Sequence, residues 1–270
     1  MANGAESQEA LCYSDAGGVM IKSVLITGAA KRIGRQIALD LAGDGWDVVV
    51  HYNGSAAEAE DVVKLIRAAG RNAVAVQGNL ADVDIGERLM AKAVEAVGPL
   101  TALINNASMF EFDRLGNLEA PMWQSHMDVN LRAPVMLAQA FAKQLPDGEN
   151  GNIINLIDQR VWRLNPLFFS YTIAKSGLWT ATRTMAQAFA PRIRVNAIGP
   201  GPALPSSRMG DEDFAKQESL TLLERGTSPA EISETVKFIL SQPALTGQMI
   251  ALDGGQHLVW KTPDVVEVKE

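Results

Sequence analysis

From residue 22 onward, short unbroken apolar runs alternate with stretches whose apolar residues recur every three to four positions. The runs are Ser23-Val-Leu-Ile-Thr27, Asp47-Val-Val-Val-His51, Asn72 to Gln77, Thr101 to Asn105, Gly151 to Leu156, Ile193 to Ile198 and Gln248 to Leu252. Helical periodicity fills Ile33 to Leu41, Ala56 to Ala69, and the spans near 82–97, 119–144, 170–189 and 229–240. A run that is apolar at every position is buried on both faces. Strands of that kind, separated by helices, form a parallel sheet covered on both sides. The pattern predicts an α/β fold with about seven parallel strands. The one long irregular stretch, Gly199 to about Glu218, is rich in proline and glycine and reads as a lid or binding loop.

Length and composition narrow this picture. The chain has 270 residues, which suits one large domain. The domain is placed at 21–260, with 261–270 as a tail. Residues 1–20 are polar and Gly/Ala/Ser-rich and read as a disordered extension. With 47% hydrophobic and 20% charged residues the composition is that of an ordinary globular protein. The net charge of −7 leaves no basic footprint for nucleic acid or for an anionic membrane surface. No apolar run approaches the roughly 20 residues that cross a bilayer. The single cysteine, Cys12, cannot form an internal disulfide, which fits a cytoplasmic location. No spacing of metal ligands is present.

The first strand runs straight into Thr27-Gly-Ala-Ala-Lys-Arg-Ile-Gly34, which opens the first helix. That is the context of a pyrophosphate site, with Gly28 for the turn and Gly34 for close approach of helix and sheet. After the second strand, where an NAD enzyme carries an acid for the ribose 2′-hydroxyl, the chain reads His51-Tyr-Asn-Gly-Ser55. Asn53 and Ser55 are neutral, while Lys31 and Arg32 add positive charge nearby. No carboxylate would repel a 2′-phosphate, so NADP(H) is the expected cofactor. The alternative is that both cations are merely solvated.

The chemistry is expected around Tyr171-Thr-Ile-Ala-Lys175, whose two ionisable residues share one helix face. A free phenol has a pKa near ~10, too high for acid–base work at neutral pH. A cation at ~4 Å would lower it by roughly two to three units before desolvation is subtracted. Thirteen residues upstream stands Asp158. An ionised carboxylate there would oppose Lys175 and raise the tyrosine pKa. It would also repel a carbonyl oxygen as that oxygen gains negative charge. It suits a substrate that presents N–H groups or accepts a proton at nitrogen.

Together these motifs resemble the short-chain dehydrogenases/reductases over roughly Lys22 to Gly255. The loop is similar to that family's T-G-x-x-x-G-x-G, with Arg32 at the middle glycine. The resemblance implies a single-domain Rossmann-type doubly wound sheet and a homotetramer. It implies Tyr171 as general acid, Lys175 on the nicotinamide ribose, and Asn130 anchoring a water in a proton relay. It also implies cofactor contacts from Ile33, from the Asn79-Leu80 pair, from Asn106-Ala107-Ser108 and from the Pro200-Gly201 turn. Within the family the chain resembles the pteridine reductases. They share T-G-A-A-K-R-[IL]-G, H-Y-x-x-S-A-A-E-A, N-N-A-S-x-F and the Asp thirteen residues before Tyr, here Thr27–Gly34, His51–Ala59, Asn105–Phe110 and Asp158/Tyr171. That branch implies Arg32 on phosphate, Ser108 on substrate and Phe110 stacked on a pterin ring. Gly54 stands where the branch often has an arginine. Trp162, Leu164, Leu167 and Met209 are candidates for the pocket wall, and His126 and His257 read as structural. Two other functions stay open: carbonyl reduction of a thioester, sugar or steroid, and a cofactor-binding sensor without turnover.

Overall fold

The computed structural model describes residues 22–205 and 208–266. The proposed extension, residues 1–20, lies outside them. Seven strands form one parallel sheet: β1 (Ser23–Ile26), β2 (Asp47–Tyr52), β3 (Ala73–Gln77), β4 (Ala102–Asn105), β5 (Gly151–Leu156), β6 (Ile193–Pro200) and β7 (Met249–Leu252). Their order across the sheet is β3-β2-β1-β4-β5-β6-β7. The order reverses between β1 and β4. In open sheets of this kind the crevice beyond the carboxyl ends of the strands at such a switch point is where ligands bind.

Strand side chains alternate between the two faces. Val24 and Ile26 pack with Ile37 and Leu41 of α1 (Arg32–Gly43), Val62 and Ile66 of α2 (Ala56–Ala68) and Val236 of α8 (Pro229–Ser241). Leu25 and Val49 face the other way, onto Leu89 of α3 (Ile85–Val97), Leu137 and Phe141 of α5 (Ala133–Gln144) and Met185 of α6 (Phe169–Phe189). Each such fully buried aliphatic side chain stabilises the fold by about 1.5–3 kcal/mol.

Three segments differ from the sequence expectation. The span read as one helix over 119–144 is α4 (Ala120–Met127) and α5 joined by a single π-helical stretch, Asp128–Arg132. Inserted π turns of this kind concentrate at functional sites, and this one carries Asn130. The irregular stretch expected to reach Glu218 ends earlier, because α7 spans Asp211–Ser219. Its first turn holds Asp211, Glu212 and Asp213 and its last turn Lys216. Those charges complement the helix dipole at both ends. The predicted tail contains a short helix, α9 (Pro263–Val266).

Candidate active site

The glycine loop sits at the carboxyl end of β1. Gly28 has φ +65, and a Cβ placed on Gly34 would lie 2.3 Å from the Gly28 carbonyl oxygen and 2.6 Å from Asn106 Nδ2. The loop is therefore closed down onto the start of α1 as tightly as backbone allows. Thr27 ties it to the turn after β4: its Oγ1 accepts from the N–H groups of Asn106 and Ala107, each at 3.0 Å, and Asn106 Nδ2 donates to the Thr27 carbonyl at 2.8 Å. His51 pins it from below. Its Nδ1 accepts from the Gly28 N–H at 3.1 Å and its Nε2 lies 3.0 Å from the Gly78 carbonyl, which fixes the neutral Nε2–H tautomer. Burial lowers its pKa to about 4. His51 thus supports the loop from within the core rather than facing a ligand.

The two loop cations are engaged. Lys31 pairs with Glu58 of α2 at 2.7 Å, so it is not merely solvated, and the Glu58 carboxylate beside the loop is neutralised by the lysine. Arg32, held at φ 55, donates to the carbonyls of Pro205 and Leu204 at 3.0 and 3.3 Å. Asn53 and Asn79 are exposed at the ends of β2 and β3, Leu80 is buried, and Ser55 precedes α2. The Asn79 side chain accepts from the Ala81 N–H at 3.1 Å, closing the turn that leads towards α3.

A cavity of about 290 Å³ joins this loop to the chemistry. Arg32, Ile33, Asn106, Ser108, Phe110, Leu156, Ile157, Asp158, Tyr171, Lys175, Pro200, Gly201, Ala203 and Leu204 line it. The structure therefore brings together residues from the ends of β1, β4, β5 and β6. Trp162, Leu164 and Leu167 are not in its wall and are 42%, 70% and 43% exposed. They belong to the segment after β5, and Met209 is not in the wall either.

Asp158 divides its carboxylate between two tasks. Oδ1 accepts from the Arg160 N–H at 2.8 Å, capping the short turn Gln159–Val161, and Oδ2 accepts from the Tyr171 hydroxyl at 3.0 Å. The structural cap and the chemical partner are the same residue. Burial raises the Asp158 pKa, against the opposing pull of the Arg160 N–H and charge. Burial first, and the Asp158 charge second, hold the Tyr171 phenol well above its usual value. The Asp158 effect has the expected direction, and burial adds to it. Lys175 Nζ donates to the Leu156 carbonyl at 2.8 Å and lies 5.8 Å from the centre of the tyrosine ring. Burial brings Lys175 down to about 8. The site holds a neutral phenol hydrogen-bonded to a carboxylate, with a buried lysine behind it.

Asn130, fully buried, turns its side chain to the Ser108-Met109 turn. Its Oδ1 accepts from Ser108 Oγ at 3.1 Å and from the Met109 N–H at 2.9 Å, and its Nδ2 donates to the Met109 carbonyl at 2.8 Å. The side chain therefore shapes the wall that carries Ser108 and Phe110. Phe110 stacks on Phe168 with ring centres 4.3 Å apart and meets the Tyr171 ring edge-on at 4.7 Å. One face of the proposed stacking aromatic is already covered by a second one.

The sequence reading left Arg208 unremarked and took His126 as structural, and the structure gives each its partners. Arg208 reaches back to the Phe110 carbonyl and the Glu111 carboxylate, tying the segment after β6 to the substrate side. His126 is completely buried and contacts Ser170, the residue before Tyr171, at 2.6 Å. Among the described residues no cluster of metal ligands is present, and no helix is long and apolar enough to cross a membrane.

A glycine loop at the switch point, an N-N-A-S turn bound to it, and a Tyr/Lys pair on one helix define a nucleotide-dependent oxidoreductase site on a doubly wound sheet. Residues 22–217 match the short chain dehydrogenase family, and the chain belongs to that family. Within it, the chain is similar to a solved structure of FolM alternative dihydrofolate reductase 1 from Brucella suis in complex with NADP. The two are 49% identical with a TM-score of 0.88, covering 92% of this chain and 100% of that one. The corresponding Brucella canis protein, also complexed with NADP, is 48% identical with a TM-score of 0.89, covering 92% and 99%. A 3-oxoacyl-[acyl-carrier-protein] reductase of Staphylococcus aureus is 35% identical over 244 residues, 88% of this chain and 99% of that protein.

Proposed function

We propose that the protein is an NADPH-dependent reductase of pterin-type rings, dihydropterins or dihydrofolate among them. The observation that carries this reading is the 3.0 Å hydrogen bond from the Tyr171 hydroxyl to an Asp158 carboxylate inside the cavity. A carboxylate there is suited to a nitrogen-rich ring and unsuited to a carbonyl oxygen gaining negative charge. The solved relatives named as dihydrofolate reductases and complexed with NADP support both substrate class and cofactor. The residues fit that cofactor: the glycine loop is a cradle that a single Cβ at position 34 would fill, and Lys31, Arg32 and Ser55 would hold its phosphate end.

NADPH, when bound, supplies the hydride to a ring carbon of the substrate. The chain supplies the proton. Tyr171 holds it at Oη, hydrogen-bonded to Asp158 Oδ2. The hydrogen-bonded pair passes one proton to the ring nitrogen next to that carbon, so that C=N becomes CH–NH. Lys175, bonded to the Leu156 carbonyl at 2.8 Å, would hold the nicotinamide ribose. Asn130 holds Ser108 and Phe110 in the substrate wall. A homotetramer and a cytoplasmic location belong to the same proposal. Exposed apolar side chains such as Leu258 and Trp260, 59% and 57% accessible, support association, and light scattering of the purified protein tests it.

The second reading, 3-oxoacyl thioester reduction, is favoured by the Staphylococcus relative. NADPH oxidation with dihydrobiopterin, dihydrofolate, dihydromonapterin and acetoacetyl thioester separates the two. Turnover of the thioester alone would replace the pterin assignment. Tight NADPH binding without any turnover would favour a sensor.

A further inference from the structure

We propose that Asp113 is a positioning residue for proton transfer: from the loop after β4 it caps the helix that carries Tyr171 and so fixes the phenol against Asp158. The inference rests on the reading that Tyr171 supplies the proton, which holds for pterin and carbonyl substrates alike.

Tyr171 is the third residue of α6, in the turn whose N–H groups have no partner inside the helix. A serine, threonine, aspartate or asparagine just before a helix ordinarily satisfies them. Here that residue is Phe168, left-handed at φ 55, and its ring is stacked on Phe110. It offers no side-chain acceptor. Asp113, distant in sequence and 2% exposed, takes over the task. Its backbone carbonyl accepts from the N–H groups of Phe168 and Phe169 at 2.9 and 3.4 Å. Its Oδ1 accepts from the Ser170 N–H at 3.1 Å, and its Oδ2 accepts from the Ser170 hydroxyl.

His126 completes the tie. Its Nε2 accepts from the Glu111 N–H at 3.2 Å, so Nδ1 carries the hydrogen and donates to Ser170 Oγ at 2.6 Å. The imidazole then stands edge-on to the Tyr171 ring, 6.2 Å between centres. A buried carboxylate costs stability unless its oxygens are hydrogen-bonded. The bonds of this one all run to the first turn of α6. The aromatic wall at Phe110, three residues before Asp113, and the phenol, two residues after the capped Phe169, therefore move as one unit. The cofactor loop is held by separate ties, from Thr27, Asn106 and His51.

The test uses Asp113→Ala, Asp113→Asn and Ser170→Ala in the full chain. Each is assayed with the panel substrate that the unmodified enzyme reduces fastest, so failure of the pterin assignment leaves the comparison intact. Misplacing a reacting group by about 1 Å costs up to about a hundredfold in rate. Asp113→Ala should lower kcat about tenfold or more and raise substrate KM, with the NADPH Kd within about twofold of the unmodified enzyme. Asp113→Asn keeps an acceptor for the Ser170 N–H and should recover most of kcat. If Asp113→Ala does not fold, Ser170→Ala, which loses only the hydroxyl bridge, should still lower kcat severalfold at unchanged NADPH affinity. An unchanged kcat in a folded Asp113→Ala or Ser170→Ala overturns the proposal. So does a loss of NADPH binding in step with kcat, which would mark a general structural role.

Discussion

Replacing Asp158 by asparagine isolates the carboxylate's charge from its shape. The amide would keep an oxygen for the Arg160 N–H, bound at 2.8 Å, so the turn Gln159–Val161 stays capped. On the other side an amide nitrogen would replace Oδ2, the atom that accepts from the Tyr171 hydroxyl at 3.0 Å. That nitrogen donates only, and the phenol proton loses its acceptor. A hydrogen bond to a charged group contributes about 1.5–3 kcal/mol, and each 1.36 kcal/mol is tenfold in rate. The expected fall in kcat for a pterin substrate is therefore about ten- to a hundredfold. The Tyr171 pKa should also drop, since the Asp158 charge is one of the causes that raise it, while burial keeps it elevated. Stopped-flow NADPH oxidation across pH gives both quantities. The unmodified enzyme should lose activity as pH rises through the elevated range of the Asp158–Tyr171 pair, and that limb should move in the variant. A pterin kcat and pH profile unchanged by Asp158→Asn would refute the assignment of the proton to this pair.

Three further outcomes follow from buried groups and close contacts. Lys175 falls from 10.5 to about 8 on burial, a cost of about 3 kcal/mol at neutral pH that is fully present below pH 8 and gone above 10.5. Lys175→Met should therefore abolish activity yet raise stability by about 1–2 kcal/mol once the Leu156 carbonyl is left unpaired; an unchanged or lower urea midpoint at pH 7 contradicts this. The folded-state pKa of His51 is depressed from 6.5 to about 4, so its contribution is present above the higher value and is lost as pH falls towards the lower, by up to about 3 kcal/mol. Urea unfolding at pH 7 and pH 4.5 should show that loss, and His51→Gln should flatten it; equal pH dependence in both proteins refutes the cause. Gly34→Ala would place a Cβ 2.3 Å from the Gly28 carbonyl, so the cofactor loop must open and the NADPH Kd should rise at least tenfold, with calorimetric titration as the check.

The sheet was legible because its central strands are buried on both faces and read as unbroken apolar runs such as Val48-Val-Val50. The cofactor loop and the Tyr171/Lys175 pair were legible because they are local in sequence. What escaped is what depends on distant partners. Nothing near Lys31 in the chain announces Glu58 as its ion partner, and nothing near Tyr171 announces that burial is the largest influence on its phenol. Asp113 left one faint signal: α6 is preceded by Pro166-Leu-Phe168, with no capping side chain, so its cap had to come from elsewhere. The helix α7 was missed although three acids at its start were visible, because the prolines and glycines before it dominated the pattern.

In the proposed function the Asp158 carboxylate, which would repel a carbonyl oxygen gaining negative charge, turns the site towards a ring nitrogen. The most direct measurement is kcat/KM for dihydrofolate and for acetoacetyl thioester, with the unmodified enzyme and with Asp158→Ser. The unmodified enzyme should prefer the pterin ring, and the serine variant should lose pterin reduction more than thioester reduction. A preference of the unmodified enzyme for the thioester, or a serine variant that keeps its pterin reduction while losing the thioester, would contradict it.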